Sequence, residues 1–410
     1  PRLGGHAHTV RVEHEQRSID VDTGFIVYNE RNYPLFSRLL DRLGVETIPA
    51  PMSFAVRDEQ TGLEYGGGSL GGLFAQRKNL ASPRFLGMVR DIVRFYEHAA
   101  EAIEREDPRI TLGAFVEKHR YGHAFFDHFL APMGAAIWSS PMGAMRDFPA
   151  RFFVRFFENH GMLTLTDRPS WRTIAGGSRV YVERLARRLG ECARRGCTVR
   201  RVTREGGGAS VAWTDERGAA CVERFDHVVL ACHSDEALNL LADPKTSERE
   251  VLGAIPYGES DTVLHSDARL LPRNRRAWAA WNYTIPREAP TPTVGRTPNE
   301  RVFVTYNMSI LQSLRTRAPL CVTLNQTDAI DPAKVLFRRT YHHPVFTLDG
   351  LKAQRRYDEI GGGPTHYAGA YWFNGFHEDG VRSAVRVAAD LGVHFRDAVG
   401  AAHPPRVVSA

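Results

Sequence analysis

The 410-residue sequence contains no run of about 18 consecutive apolar residues, which excludes a simple membrane-spanning helix. No secretory signal pattern is visible in it. Cysteine is scarce: Cys192, Cys197, Cys221, Cys232 and Cys321 form no CxxC and no paired spacing. That excludes a disulfide framework and a thiolate zinc site, and predicts reduced, buried thiols in a cytoplasmic protein. His6, His8 and His14 lack a second ligand cluster at fixed spacing, so no metal is expected. No internal repeat is present. The net charge of +6 is a mild excess. Its arginine clusters, Arg194–Arg195 and Arg273–Arg276, read as solvated surface rather than a nucleic-acid face, and leave contact with a membrane surface open.

What remains is the composition of an ordinary globular chain, 43% hydrophobic and 24% charged. Its length suits two domains. IDVDTGFIVY (19–28) reads as a strand broken by the Asp22-Thr23-Gly24 turn. A helix follows, with Asn32 as its cap, Pro34 in its first turn and Gly44 at its end. Residues 84–105 carry an apolar stripe at helical spacing, and 112–130 form an aromatic-rich helical block. RFFVRFF (151–157) reads as a buried aromatic face with snorkelling arginines. From about 171 the texture changes. A Gly pair and a Ser178 cap open a helix, and strands follow over 197–205 and 210–233. Residues 262–345 are strand-rich. THYAGAYW (365–372) is a strand that leads through a loop to a last helix, and the tail beyond about 396 lacks periodicity. This order predicts two domains that the chain visits alternately.

Gly66-Gly67-Gly68-Ser69-Leu70-Gly71 is a literal GxGxxG. It lacks a buried strand before it and a good helix after it, so it reads as a glycine-rich turn. Three other stretches carry more chemistry. Arg2-x-Gly4-Gly5-x-x-x-Thr9 is a loop whose glycines let a ligand approach the backbone. FDHVVLA (225–231) is a strand whose C-terminal end lies where wound sheets bind ligands. GAYWFNGFHEDG (369–380) runs from strand to loop to a helix with Glu378 and Asp379 in its first turn. Its N-terminus offers free N–H groups and a positive dipole end to developing negative charge.

In order along the chain, Arg-x-Gly-Gly-x-x-x-Thr, VDTGF, W-x-x-x-x-GGS-x-x-Y, FDHVVLAC and the GFHEDG helix resemble the FAD-dependent oxidoreductases of the amine oxidase, protoporphyrinogen oxidase and phytoene desaturase superfamily. More narrowly, HAHTV, WNY, VTLN and GFHEDG resemble bacterial NAD/FAD-binding flavoproteins often grouped with cyclopropane fatty acid synthases. The resemblance implies an α/β plus α+β fold. In it, a Rossmann-like FAD-binding domain (1–48, 171–235, 350–395) is interleaved with a mixed substrate domain (49–170, 236–349), followed by a tail (396–410). The family pattern opens with strand, GxGxxG, helix and a second strand ending in Glu, all ahead of the Arg-x-Gly-Gly loop. By that pattern Pro1 is an internal position and the first βαβ unit, about 30–40 residues, is largely missing. His6 also stands where many relatives have Arg, and Ala384 where many have Gly.

The resemblance implies FAD as cofactor, with hydride taken from an apolar organic or lipid-like small-molecule substrate, or from an amine. Arg2, Gly4, Gly5 and Thr9 would lie along the pyrophosphate and ribityl chain, and Gly24 and Phe25 near the flavin. Val199 and Ala231 would lie by the adenine, and Gly375, Glu378, Asp379 and Gly380 would bring the last helix to the flavin. Amine oxidases place a Lys near flavin N5. None of Lys78, Lys118, Lys245, Lys334 and Lys352 matches it, which points towards desaturation or isomerisation of an apolar substrate. Trp281, Asn282, Tyr283, Tyr306 and Asn325 are the candidate pocket residues, and His265 is the candidate acid or base. The alternative is a non-catalytic chain that holds no FAD and acts as a binding scaffold; a nicotinamide-dependent dehydrogenase is a third reading.

Overall fold

In the computed structural model the described residues are 2–138, 141–164, 169–287 and 302–393. A seven-stranded mixed sheet forms the larger half. In spatial order its strands are β16 (Val335–Pro344), β12 (Tyr257–His265), β15 (Cys321–Leu324), β14 (Val304–Asn307), β13 (Trp281–Ile285), β5 (Phe54–Asp58) and β6 (Glu64–Gly66). Every pairing is antiparallel except β13 with β5. That one parallel junction joins two stretches far apart in the chain. β15 is buried at all four residues, so it is covered on both faces.

A helical layer covers the β5–β13 side. Ser82 accepts from Phe85 N (3.3 Å) and Pro83 fills the first turn of the helix Pro83–Glu104. Phe85, Met88, Asp91, Phe95, Ala99 and Ile103 recur every three to four residues and are buried. The apolar members of this set meet Phe153, Val154, Phe156 and Phe157 of the helix Ala150–Asn159. Arg151 and Arg155 lay their stems over this layer and pair with Glu104, as RFFVRFF implies. Phe126–Leu130 is a π-helical turn, which no propensity in the sequence announces.

The smaller half is built from short sheets: the hairpin β1 (Thr9–His14) with β2 (Arg17–Asp22); β3 (Tyr28–Asn29), β7 (Trp171–Ile174) and β4 (Thr47–Pro49); and the meander β8 (Thr198–Glu205), β9 (Gly208–Thr214), β10 (Ala220–Phe225). A parallel pair, β11 (Val228–Leu230) with β17 (Thr365–Tyr367), carries the site. Both strands run the same way, so both following turns open at one end of the pair. Helices Ser234–Leu240 and His377–Asp390 follow them.

Several local expectations change. Asn32 does not cap the first helix, Pro34–Leu43; its side chain binds Asn159 O. The free N–H groups of Leu35 and Phe36 donate instead to Glu378, at 3.0 and 2.9 Å. Ser178 does not cap its helix, Arg179–Leu189, either; its hydroxyl donates to Asp22 at 2.7 Å. Core packing crosses the boundary expected at residue 235. Ala237, Leu241, Val251, Leu252 and Ile255 cluster with Leu230, Tyr367 and Trp372, beside the parallel pair. Of the cysteines only Cys321 is buried, and Cys192 is exposed. The Gly66–Gly71 run ends β6 and enters a one-turn helix capped by Ser69, within the large sheet. The tail beyond 396 lies outside the described residues. Among the described residues no helix is long and apolar enough to cross a membrane.

Candidate functional site

The site grows from the opening loop. Gly4 takes φ +109°, and a Cβ there would stand 2.6 Å from Ala7 O, so the turn closed by Ala7 N to Gly4 O requires glycine. Gly5 faces open space. The chain then runs beside residues 23–25: Thr23 N donates to His8 O (2.8 Å) and Phe25 N to His6 O (2.9 Å). A Cβ on Gly24 would fall 2.0 Å from His6 O, so this close approach also needs glycine. Phe25 stacks on His377 with centroids 3.6 Å apart and planes 12° apart. His377 is hydrogen-bonded through Nε2 to Tyr181 OH (2.9 Å). Three steps thus lead from the opening glycine loop to the first residue of the last helix.

At that helix start, Asp379 accepts from Asn374 N (3.1 Å) and Phe376 N (2.9 Å). Burial pushes its carboxyl up to about 7. Gly375 takes φ +86° with Phe346 close by, and Gly380 adjoins open space. Phe376 stacks on Phe156 at 5.3 Å, and Phe152 on Phe346 at 5.9 Å. The helix start therefore has an aromatic side, towards the helical layer, and a polar side.

The polar side is rich in histidine. His6 lies 5.2 Å from His343 and 5.8 Å from His233, ring centre to ring centre. His233 stacks on Tyr257 at 4.3 Å. Burial drives His6 down to about 4, and His343 and His377 to about 3, so all three are neutral near pH 7. His6 Nε2, His343 Nδ1 and Tyr371 OH are buried and have no partner. A cavity of about 700 Å³ adjoins this side, bordered by Arg2, His8, Thr9, Arg179, Arg187 and Arg195, with Glu183 as its one acid.

Of the sequence candidates, Gly24 and Phe25 touch the opening loop of Gly4 and Gly5 through His6, and Phe25 touches the helix start of Gly375, Asp379 and Gly380 through His377. Ala231 is exposed next to Cys232 and His233, at the end of β11. Arg2 folds over the opening loop and donates to Ala7 O (3.0 Å). Thr9 spends its hydroxyl internally: it donates to Asp22 (2.6 Å) and accepts from Arg179 N (2.9 Å). Glu378 is likewise engaged by the first helix. Val199 is 41% exposed on β8, an edge strand of its sheet.

His265 does not take the role expected of it. It is fully buried, Nε2 bonds Thr323 Oγ1 (2.6 Å), and Nδ1 accepts from Asp267 N (3.0 Å). With both ring nitrogens held in the core, it has none to offer a substrate. Asn282 and Asn325 are also fold residues. Asn282 binds Ala279 and Thr305 backbone, and Asn325, at φ +60°, ties Asp261 N to Val302 O. Tyr283 is core. Trp281 and Tyr306 meet edge-on at 5.1 Å between two core clusters, and Trp281 Nε1 lacks a partner. Sequence reasoning missed His233, His343 and His377. The signal was present as alternation: Arg339, Tyr341 and His343 fall on one face of a strand.

Comparison with known proteins bears on this arrangement. Residues 1–274 match the family model of flavin containing amine oxidoreductases. No curated protein sequence matches. Among solved structures, a putrescine oxidase variant superposes with TM-score 0.62 at 15% identity, covering 95% of this chain and 91% of that one. A CLA-producing fatty acid isomerase from P. acnes gives TM-score 0.62 at 16% identity, covering 94% and 90%. Cyclohexylamine oxidase from Brevibacterium oxydans IH-35A gives 0.57 at 14%, covering 96% and 92%. At such identities these likenesses show the fold, an α/β architecture with a Rossmann-like flavin-binding half. The family match covers most of the chain, and with it the chain belongs to the flavin containing amine oxidoreductases, FAD-dependent oxidoreductases.

Proposed function

We propose that FAD lies along the opening loop, reaching from the cavity beside it towards the ends of β11 and β17 and the start of the last helix. On this reading the enzyme oxidises or isomerises an apolar, lipid-like small molecule rather than a polyamine. The observation that carries the proposal is the direct stacking of Phe25 on His377, which joins the glycine loop to a helix N-terminus. The residues present fit the cofactor. Unpartnered buried nitrogens at His6 and His343 and the Tyr371 hydroxyl want hydrogen bonds that a polar ligand supplies. The cavity bordered by four arginines suits a diphosphate.

Bound flavin supplies the hydride acceptor, and the protein supplies position and electrostatics. The positive end of the last helix favours negative charge beside it. Asp379 closes the helix's own first turn and Glu378 fixes the helix to Pro34–Leu43, so the N-terminus is held rigid. Neutral His6, His343 and His377 can each give or take a hydrogen bond without adding charge. Phe152, Phe156, Phe346 and Phe376 form an aromatic wall with no carboxylate among them to pair with an ammonium group. The domain division expected from the sequence is kept in this reading, with residues 236–255 moved to the FAD-binding half.

The test is anaerobic flavin bleaching with a panel of compounds. An unsaturated long-chain fatty acid is expected to bleach or perturb the flavin spectrum, and putrescine to leave it unchanged. Bleaching by putrescine alone contradicts the apolar reading.

A further inference from the structure

We propose that the exposed leucines Leu70, Leu80 and Leu86, together with the cations of residues 77–84 and 273–276, form a surface that docks this protein on an anionic lipid bilayer. The inference stands apart from the flavin reading and uses none of its residues.

The surface lies at the β6 edge of the large sheet, where the glycine-rich turn begins. Two glycines let separate segments approach there. A Cβ on Gly66 would stand 2.7 Å from Ala277 O, and one on Gly72 3.0 Å from Arg276 O. Asn274 Nδ2 also donates to Ala75 O at 2.6 Å. The arginine cluster of 273–276 is thereby held against the one-turn helix Leu70–Leu73. Phe74, which ends that helix, meets Phe85 edge-on at 6.0 Å, beside the start of the helix Pro83–Glu104. Tertiary packing thus joins the leucine segment to both groups of cations.

Leu70 is 77% exposed, Leu80 57% and Leu86 42%. Core packing in this region is done by Phe74, Phe85 and Met88 instead. Single exposed leucines are ordinary, but three in one short segment beside free cations mark an interaction site. Residues 66–90 and 271–284 contain no Asp or Glu. Arg77, Lys78, Arg84, Arg273, Arg275 and Arg276 are exposed, and among the described residues none of them pairs with a carboxylate. The acids that border the surface are engaged elsewhere. Glu64 is buried and accepts from Asn274 N, Glu59 pairs with Arg57 at 2.8 Å, and Asp91 is buried and accepts from Gly122 N at 2.8 Å. The first exposed acid of the helix Pro83–Glu104 is Glu97, about 10 Å along the axis beyond Arg90.

The two chemistries together select the partner. A second copy of this chain could cover the leucines, but would set arginines against arginines. A nucleic acid could take the cations, but its phosphates offer nothing to leucine, and no aromatic of these two stretches is exposed to stack a base. An anionic bilayer satisfies both. Leucines enter the boundary between headgroups and acyl chains, and arginine and lysine meet the negative headgroups.

The test is co-sedimentation of the full chain, with FAD present, on vesicles of phosphatidylcholine alone or with about one-third phosphatidylserine. Saturable binding is expected on the anionic vesicles and should be about tenfold or more weaker on the neutral ones. Arg273→Gln, Arg275→Gln and Arg276→Gln together should weaken it about tenfold. Leu70→Ser with Leu80→Ser should do the same, by about tenfold. Arg200→Gln, Arg201→Gln and Arg217→Gln remove as much charge from the β8–β10 meander, and should leave binding within about twofold. All these positions are exposed, so melting temperatures should match the parent. No binding, equal binding to both vesicles, or an equal loss in the meander variant overturns the inference. So does a dimer that the leucine variant converts to monomer, which would give the surface to a second copy. Binding of a single-stranded oligonucleotide that survives the leucine variant, without vesicle binding, overturns it as well. Vesicle binding by a preparation that takes up no FAD supports the surface and counts only against the flavin reading.

Discussion

Asp22 shows how much one residue of the VDTG turn does. It is 1% exposed and accepts from Thr9 Oγ1, Ser178 N and Ser178 Oγ at 2.6, 2.9 and 2.7 Å. It therefore locks the opening strand to the helix that follows GGS, two motifs 156 residues apart in sequence. Asp22→Ala leaves those donors buried without an acceptor, and should cost about 2–3 kcal/mol in chemical denaturation. His265→Asn is the contrasting case. It should also lower stability, by about 1–3 kcal/mol, because Thr323 and Asp267 N lose their partner. Since His265 is sealed in the core, flavin content and turnover per folded molecule should stay unchanged. A large loss of turnover without loss of stability would restore His265 as an acid or base.

Among the elements, Glu378 joins two helices far apart in sequence. Its carboxylate caps Pro34–Leu43 from the first turn of His377–Asp390. Glu378→Ala should cost about 1–2 kcal/mol, the range of a lost N-cap. It should also loosen the helix start, read as faster amide exchange at Leu35 and Phe36. The helix itself was legible in the sequence, from Pro34 through the apolar spacing to Gly44. Its cap was not, because the capping group arrives by tertiary contact and Asn32 looked adequate locally. The same holds for Ser178, whose capping chemistry was spent on Asp22. The long helices, the hairpins and the glycine-rich turn at 66–71 were readable because local pattern decides them. The π-turn at Phe126–Leu130 was not, since packing against Asp58 and Tyr65 fixes it. Nor was the gathering of the site histidines, His6, His233, His343 and His377, which come from four segments that only the fold brings together.

For the whole molecule, titration has a predicted direction. His6, His8, His160 and His265 are depressed to about 4, and His343 and His377 to about 3. Each favours the neutral form in the fold, so its stabilisation is present above the ordinary value of 6.5 and is lost as pH falls towards 4. Asp22, raised to about 6, and Asp379, raised to about 7, act oppositely and favour folding as pH falls. The depressed imidazoles, His366 also among them, outnumber the raised carboxyls, Glu378 also among them, so the melting temperature should drop between about pH 6.5 and pH 4. A melting temperature that rises over that interval would mean the buried histidines are solvated. The measurement that bears most directly on the cleft is hydrogen exchange with and without FAD. Protection is expected at residues 3–8, 23–26 and 375–380, the stretches joined through Phe25 and His377. Protection elsewhere, at 66–71 for example, with these three stretches unaffected, would contradict a flavin held between the opening loop and the last helix.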